Sequence, residues 1–374
     1  MSGYPHTFRG FAIADPRDWA SPKLTEFEPK KFGARDVDIE VECCGICASE
    51  LFSLKNEWTH APLECLSSAY GPKSQVVGHE VIGRVVAVGD RVTLCRVGDR
   101  VGLGAQCCAC MECARCVAGN EQYCARAVGT YCDRYPDGYV SQGGYASHVR
   151  AHEQFCFPIP EAIPSELAAP LQCGGLTVYS PIKRNIAGLE NPKVAVIGIG
   201  GLGHMAIMIA RALGAEVTAI SRTNSKKADA AKMGAHGFVA TAEPGWQTEL
   251  QDHFDLILNC ASSTTALDLD ALLPTLKVNC NFISVGLPHV DEDFRGVKPF
   301  TFFSNGCCLG SSKLGSREEA IELFALAAEH GFRPWVETLP VSEAGVHEGL
   351  TRLDKGDVRY RFTLVGFREF FGTA

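Results

Sequence analysis

Gly198-Ile-Gly200-Gly201-Leu202-Gly203 constrains this chain more than any other stretch. It follows an apolar run at residues 194–197 (VAVI) and opens an apolar periodic segment carrying Met205, Ile207, Ile209 and Leu213. A strand that turns into a helix through such a sequence uses glycine for a tight turn, for close approach of a pyrophosphate to the backbone, and for close packing of helix on sheet. The N-terminus of the following helix then favours the anion. Short apolar runs at 193–197 (KVAVI), 216–220 (EVTAI), 254–258 (FDLIL) and 281–285 (NFISV), separated by helical stretches, repeat a βαβ rhythm. That rhythm implies a parallel sheet, because parallel strands need crossover connections. A bare glycine motif could be a turn in some other α/β protein. The strand before it, the helix after it and a second strand on schedule favour dinucleotide binding through Gly198, Gly200, Gly201, Leu202 and Gly203.

The second strand indicates which dinucleotide. It ends Ala219-Ile220-Ser221-Arg222-Thr-Asn-Ser-Lys226-Lys227, and no carboxylate appears before Asp229. An NAD site places Asp or Glu here to accept from the ribose 2′-OH. Ser221, Arg222 and Lys226 offer a hydroxyl and two cations that suit a 2′-phosphate instead, so NADP(H) is expected. The competing reading is a basic turn that only faces water.

At 374 residues the chain has the length of roughly two domains. Lys and Arg total 35 against 43 Asp and Glu, with no long run of either sign, so nothing here would hold a nucleic acid by counterion release. The first residues, MSGYPHTFRG, lack a basic-then-apolar signal pattern, and the longest apolar stretch, 194–210, is broken by glycines and His204. The expectation is a cytoplasmic protein with no membrane segment. Its 18 cysteines are anomalous for such a compartment unless they bind metal, and many cluster between Cys107 and Cys132. Within that cluster Cys110-x2-Cys113-x2-Cys116-x7-Cys124 can close a tetrahedral four-sulfur site, which suits a structural zinc because no position is left for water. Similar spacing also holds iron–sulfur clusters, or the thiols could be unliganded. Zinc is preferred because a nicotinamide enzyme needs no further electron carrier. Cys107 and Cys108 are read as bystanders. The first third of the chain reads as short strands, among them 37–42 (VDIEVE) and 81–88 (VIGRVVAV) before Gly89-Asp90. Residues 316–330 (SREEAIELFALAAEH) predict a helix with a Ser cap, an acidic first turn and Gly331 beyond its end.

Taken together, these residues resemble the zinc-dependent medium-chain alcohol dehydrogenases, within them the cinnamyl-alcohol-dehydrogenase branch, and especially its fungal NADP-dependent broad-range members. The matching stretches are Cys44-Gly-Ile-Cys47-Ala-Ser49, Val77-Gly-His79-Glu80, the four-cysteine loop, Asp137-Gly-Tyr-Val-Ser-Gln-Gly-Gly-Tyr145, Ala169-Pro-Leu-Gln-Cys173-Gly-Gly-Leu-Thr177-Val-Tyr, the glycine loop with Ser221-Arg222, and Gly356-Asp-Val-Arg-Tyr-Arg361-Phe. They span nearly the whole chain in the family's order.

The resemblance implies an α/β protein: a GroES-like β-rich catalytic domain at residues 1–163 with the structural-zinc loop at 107–124, a Rossmann NADP-binding domain at 164–312, and a return to the catalytic domain at 313–374. It implies a second zinc, catalytic, held by Cys47, His79 and Cys173, with Glu80 able to bind in place of water. Taken singly, His79 could be a satisfied core histidine and Cys173 a small buried hydrophobe. Three protein ligands leave one coordination position open, which distinguishes a catalytic from a structural zinc. Ser49 is expected to pass the substrate's proton, Thr177 and Arg361 to meet the cofactor, and Trp58 to line the substrate pocket. The implied assembly is a homodimer joined by edge strands of the cofactor domain, and the implied ligand a small-molecule alcohol or aldehyde.

Three positions depart from the family pattern. Phe52 stands where the proton path ends at a histidine, so alcohol oxidation is expected to be slow near neutral pH unless another group relays the proton, His60 being the first candidate. Glu50 replaces the usual Asp that orients His79. The connection at residues 59–76, with His60 and Tyr70, is longer than usual and is either part of the pocket mouth or a plain surface insertion. The expected reaction is NADP(H)-linked interconversion of primary alcohols and aldehydes, aromatic, cinnamyl-type or aliphatic. The alternatives are a specialised NADPH-dependent reductase of a conjugated natural product and, outside enzymes, a zinc- and nucleotide-binding redox sensor.

Overall fold

The computed structural model describes residues 6–55, 57, 74–265, 267–294 and 297–372. The chain forms two compact units. The first comprises Met1–Cys173, Ser316–Ala328 and Arg333–Ala374; the second comprises Gly174–Gly315 and Glu329–Phe332. The division falls later than residue 163 because the turns Ser165–Ala168 and Ala169–Gln172 are tied to the first unit's strands. Arg100 Nη2 donates to the Ile163 carbonyl (2.6 Å) and to Ser165 Oγ (3.1 Å), and Thr363 Oγ1 donates to the Glu166 carbonyl (2.9 Å).

The first unit is built on a seven-stranded sheet in the order Cys156–Pro158, Arg100–Leu103, Val81–Val88, Asp36–Ile46, Arg361–Val365, Val336–Pro340, with His148–His152 also paired to Asp36–Ile46. All pairings are antiparallel except that of the last two strands. The strand expected at 37–42 is the central part of Asp36–Ile46. It is buried on both faces because it lies at the centre of the sheet, and Asp38 survives there by a bidentate pair with Arg150 at 2.7 Å on each oxygen. Val37, Ile39, Val41, Val81, Val85, Leu103, Phe362 and Leu364 form the core around it.

The second unit is a six-stranded, wholly parallel sheet ordered Gly237–Ala240, Glu216–Ser221, Lys193–Ile197, Phe254–Asn259, Leu276–Ser284, Cys308–Ser311. This is the doubly wound order with Lys193–Ile197 at its centre, and the order reverses beside that strand, which places the ligand crevice at its carboxyl end. The strand expected at 281–285 begins earlier, at Leu276, with an irregular register near Phe254 and Asn279 in a left-handed conformation (φ 61). Helix Arg317–His330 has the cap that its sequence announces. Ser316 Oγ accepts from Glu319 N (3.3 Å) and Glu319 Oε2 accepts from Ser316 N (2.9 Å), a reciprocal capping box.

Candidate metal centres and cofactor loop

Neighbouring strand ends gather the first candidate site. Cys47 follows strand Asp36–Ile46, while His79 and Glu80 immediately precede its antiparallel neighbour Val81–Val88. The register Cys44↔Val81 brings Gly45 to Glu80, and Gly45 N donates to the Glu80 carbonyl (2.9 Å). On the other side, Phe362↔Ile46 sets Arg361 at the same end of the sheet. Cys173 arrives at the end of the turn Ala169–Gln172. The result is a buried group, Cys47, His79, Glu80 and Cys173, whose ligand atoms all lie within 4.8 Å of one another.

The surroundings of these four residues fit a cation. Cys47 and Cys173 are hydrogen bonded to each other; that bond, then Arg361 and His79, draw the Cys47 thiol well below its ordinary range, while the same bond and burial push Cys173 up. Two buried sulfurs so close suit a metal that ionises both in place of a proton. Burial pushes the Glu80 carboxyl up to about 8, against the pull of Arg361. Glu80 Oε1 is ion-paired with Arg361 Nη2, and its buried Oε2 has no hydrogen-bond partner among the described residues. A side chain at Gly45 would collide with that oxygen, the added Cβ lying 2.0 Å from it, so glycine is what leaves Glu80 its place. Glu50 sits beneath both ends of the group. Its Oε1 lies 2.6 Å from His79 Nδ1 and its Oε2 accepts from Cys47 N at 2.6 Å, which fixes the imidazole with Nε2 directed away from Glu50. The longer Glu therefore reaches where the family pattern has Asp. Ser49 Oγ stands 3.3 Å from that Nε2.

The second candidate site is the four-cysteine loop. Sulfur–sulfur distances are 3.5 Å for Cys110–Cys124, 3.6 Å for Cys113–Cys116, and 3.9 Å for both Cys110–Cys116 and Cys113–Cys124. A regular tetrahedron with zinc–sulfur bonds of about 2.3 Å has edges of about 3.8 Å, so the cage already has the dimensions of a closed zinc site. Met111, at φ 58, turns the chain between the first two ligands. Backbone amides of Cys113 and Arg126 donate to the sulfurs of Cys110 (3.4 Å) and Cys124 (3.3 Å), as thiolates require. Hydrogen bonds led by the Glu112 amide draw Cys110 down to about 6. Cys107 stays outside the cage, bonded to the Tyr135 hydroxyl at 3.0 Å.

In the second unit the glycine loop divides its labour as the sequence implies. Gly198 has φ 83, and an added Cβ would meet Ala261 N at 2.9 Å; at Gly203 it would strike the Gly198 carbonyl at 1.9 Å. Gly200 is different, because nothing lies within 4 Å of where its Cβ would be. Its missing side chain serves open space rather than packing, which is the cradle a pyrophosphate needs. Gly200→Ala is therefore expected to leave the thermal midpoint unchanged while weakening NADPH binding measured by fluorescence titration; equal loss of stability would mean that the position serves the fold. Leu202 caps helix Gly203–Ala212, Thr177 lies half-buried on helix Gly174–Ile186, Ser221 is half-buried and Arg222 exposed. Lys226, expected at the 2′-phosphate, donates through Nζ to the Ile199 carbonyl and so ties the glycine loop to the end of the second strand. Trp58, His60 and Tyr70 lie outside the described residues, as does all of the long connection except residues 74–76.

Residues 33–161 match the alcohol dehydrogenase GroES-like domain and residues 201–329 the zinc-binding dehydrogenase domain. NADP-dependent alcohol dehydrogenase 6 of Saccharomyces cerevisiae is 46% identical over 370 residues, covering 98% of this chain and 99% of the yeast protein. The chain belongs to the zinc-type medium-chain alcohol dehydrogenases. The dehydrogenase is also similar to a cinnamyl alcohol dehydrogenase structure from Sorghum bicolor (TM-score 0.84, 31% identity, 96% of this chain and 97% of that one). A cinnamyl alcohol dehydrogenase from Helicobacter pylori solved with NADP(H) gives a TM-score of 0.82 at 29% identity, covering 96% and 98%.

Two features of the dehydrogenase's site were not legible in its sequence. Arg361, expected at the cofactor, spends part of its guanidinium on Glu80, an ion pair between residues far apart in the chain that only the sheet register joins. Tyr131 lies with its ring against His79, centroids 5.5 Å apart. No motif marks it, because it comes from an irregular segment after strand Val128–Gly129.

Proposed function

We propose that this dehydrogenase interconverts primary alcohols and aldehydes using NADP(H), with Cys47, His79 and Cys173 holding a catalytic zinc, Glu80 an alternate ligand, and Cys110, Cys113, Cys116 and Cys124 holding a structural one. The observation that carries the reading is the buried Cys47–His79–Glu80–Cys173 group with Glu50 bracing two of its members. Zinc held there supplies Lewis acidity to the substrate oxygen. The protein's own residues do the rest. Glu50 orients His79, Arg361 neutralises Glu80, and Ser49, 3.3 Å from His79 Nε2, is the hydroxyl placed to exchange a proton with the substrate. The first unit is the catalytic domain and the second the NADP-binding domain. A panel of aliphatic, aromatic and allylic aldehydes assayed with NADPH and NADH, alongside zinc content, tests the reading. Turnover confined to one conjugated substrate would favour the specialised reductase, and no NADPH oxidation with any aldehyde would overturn it.

The cofactor preference rests on Ser221, Arg222 and Lys226 with no carboxylate at the end of the second strand. A charge-assisted hydrogen bond contributes about 1.5–3 kcal/mol, so Arg222→Ala is expected to raise the Michaelis constant for NADPH roughly ten- to a hundredfold and leave that for NADH nearly unchanged. Equal loss for both cofactors would assign Arg222 to structure.

A homodimer formed through the second unit is the assembly we favour. Strand Cys308–Ser311 is an open edge, and nearby Phe300 and Phe303 are 83% and 85% exposed, an apolar display that monomers rarely leave uncovered. Sedimentation at micromolar concentration reads the assembly directly. The reduced thiols of a metal-binding protein fit the cytoplasm; among the described residues no helix is long and apolar enough to cross a membrane.

A further inference from the structure

An imidazole is out of place in an apolar helix. His204 lies in helix Gly203–Ala212, fully buried among Met205, Ala206, Ile207 and Ile209 of the same helix, where a polar group costs stability unless it is hydrogen bonded. Its Nδ1 lies 3.0 Å from the Gly200 carbonyl oxygen, the same oxygen that accepts from His204 N at 3.1 Å. A carbonyl only accepts, so Nδ1 carries the hydrogen and donates. That oxygen belongs to the glycine loop, and the two carbonyls before it are tied down as well. Gly198 O accepts from Gly200 N (3.2 Å), and Ile199 O accepts from Lys226 Nζ. Amides hold an anion and carbonyl oxygens repel it, so a pyrophosphate cradle requires its carbonyls to be turned away.

We propose that His204 is a positioning residue for the cofactor's pyrophosphate, holding the Gly200–Gly201 peptide so that its N–H faces the anion. In a trans peptide the N–H and C=O point in opposite directions, so a Gly200 carbonyl drawn back toward the helix aims the Gly201 N–H out of the helix's N-terminal end. The peptide requires holding because it joins two glycines. No Cβ limits rotation on either side, and the absent side chain that clears the cradle at Gly200 also frees this peptide to turn over and present its oxygen to the anion. A single backbone bond in a first turn, where helices fray, resists that weakly. The second bond comes from a ring locked in the core, so turning the peptide over would strand a buried donor. The inference rests on the reading that the glycine loop holds the pyrophosphate.

The test titrates the zinc-loaded enzyme calorimetrically with NADPH and with 2′-AMP, which carries the adenosine and the 2′-phosphate but no pyrophosphate. His204→Leu, which fills the space without a donor, is expected to weaken NADPH binding roughly three- to tenfold, what one hydrogen bond contributes, and to leave 2′-AMP binding unchanged. In steady state the loss should appear in the Michaelis constant for NADPH, with kcat at saturating cofactor nearly unchanged. His204→Asn, whose amide nitrogen stands near the place of Nδ1, should recover wild-type binding. His204→Gln, whose amide reaches the place of Nε2 instead, should not, and this pair of polar variants gives the same comparison should the leucine variant fail to fold. NADPH affinity unchanged in both His204→Leu and His204→Gln, or equal losses for NADPH and 2′-AMP, would overturn the assignment. Gly200→Ala separates it from the reading beneath it. If Gly200→Ala weakens NADPH and the His204 variants do not, the role of His204 is wrong and the cradle stands; if Gly200→Ala also leaves NADPH binding intact, the two fall together.

Discussion

Cys47→Ala is expected to lose alcohol and aldehyde turnover by a thousandfold or more. Cys47 is where the structure concentrates the ionised sulfur of the buried group, drawn down by Cys173, Arg361 and His79 together. Without it the remaining His79, Glu80 and Cys173 offer a weaker and less anionic set. A bound cation contributes several kcal/mol to the reacting oxygen's stabilisation, each 1.36 kcal/mol being tenfold in rate, so roughly a thousandfold loss is the lower bound. NADPH affinity should change by no more than about twofold, because the glycine loop lies in the other unit. Zinc analysis should read one ion per chain instead of the two that the two ligand groups imply. Glu50→Gln gives the graded companion result, about ten- to a hundredfold weaker metal binding, since it loses the charge that orients His79 rather than a ligand. A Cys47→Ala protein with full zinc and near-normal turnover would remove Cys47 from the ligand set.

The four-cysteine cage predicts the largest effect on stability. Cys116→Ser should lower zinc content to one per chain and depress the thermal midpoint by more than about 10 °C, at about 2–4 °C per kcal/mol lost. The reason is one of scale. A structural zinc contributes roughly 10–16 kcal/mol of apparent binding energy to a four-thiolate site, as much as the whole stability of a typical domain. The part of the loop between the second and third ligands is weakly held by its own local structure: helix Ala114–Val117 is four residues long, its N-cap makes no side-chain hydrogen bond, and the Glu112–Arg126 ion pair is exposed. Chelation that removes only the catalytic metal should leave the midpoint nearly in place, because Glu50, Arg361 and the sheet register still hold that site's backbone. An unchanged melting curve for Cys116→Ser with two zinc ions retained would show that the cage binds no metal.

The second unit was the more legible part of the fold. Strands Lys193–Ile197, Glu216–Ser221 and Phe254–Asn259 fall on the apolar runs that announce them, because each is buried on both faces and its signal is local. The strand at Leu276–Ser284 was only half visible, since its first residues are partly exposed and turn at Asn279. In the first unit the strand expected at 37–42 extends over Asp36–Ile46, and its central place in a seven-stranded sheet, which buries its polar positions too, is something no local pattern announces.

The sequence by itself determined what is carried by spacing within one turn or loop: the glycine cradle, the absence of a carboxylate after the second strand, the sulfur cage and the Ser316–Glu319 cap. Each is a short-range geometry that a few neighbouring residues impose. Only the tertiary structure decided which distant side chains meet. Cys47 joins His79 and Glu80 because antiparallel register sets Gly45 against Glu80; Arg361 joins Glu80 because a strand from the end of the chain pairs with the same one; and Tyr131 comes to lie against His79 from a distant, irregular segment whose backbone is pinned on either side. Register and crossover are properties of the closed sheet, and no window of sequence contains them.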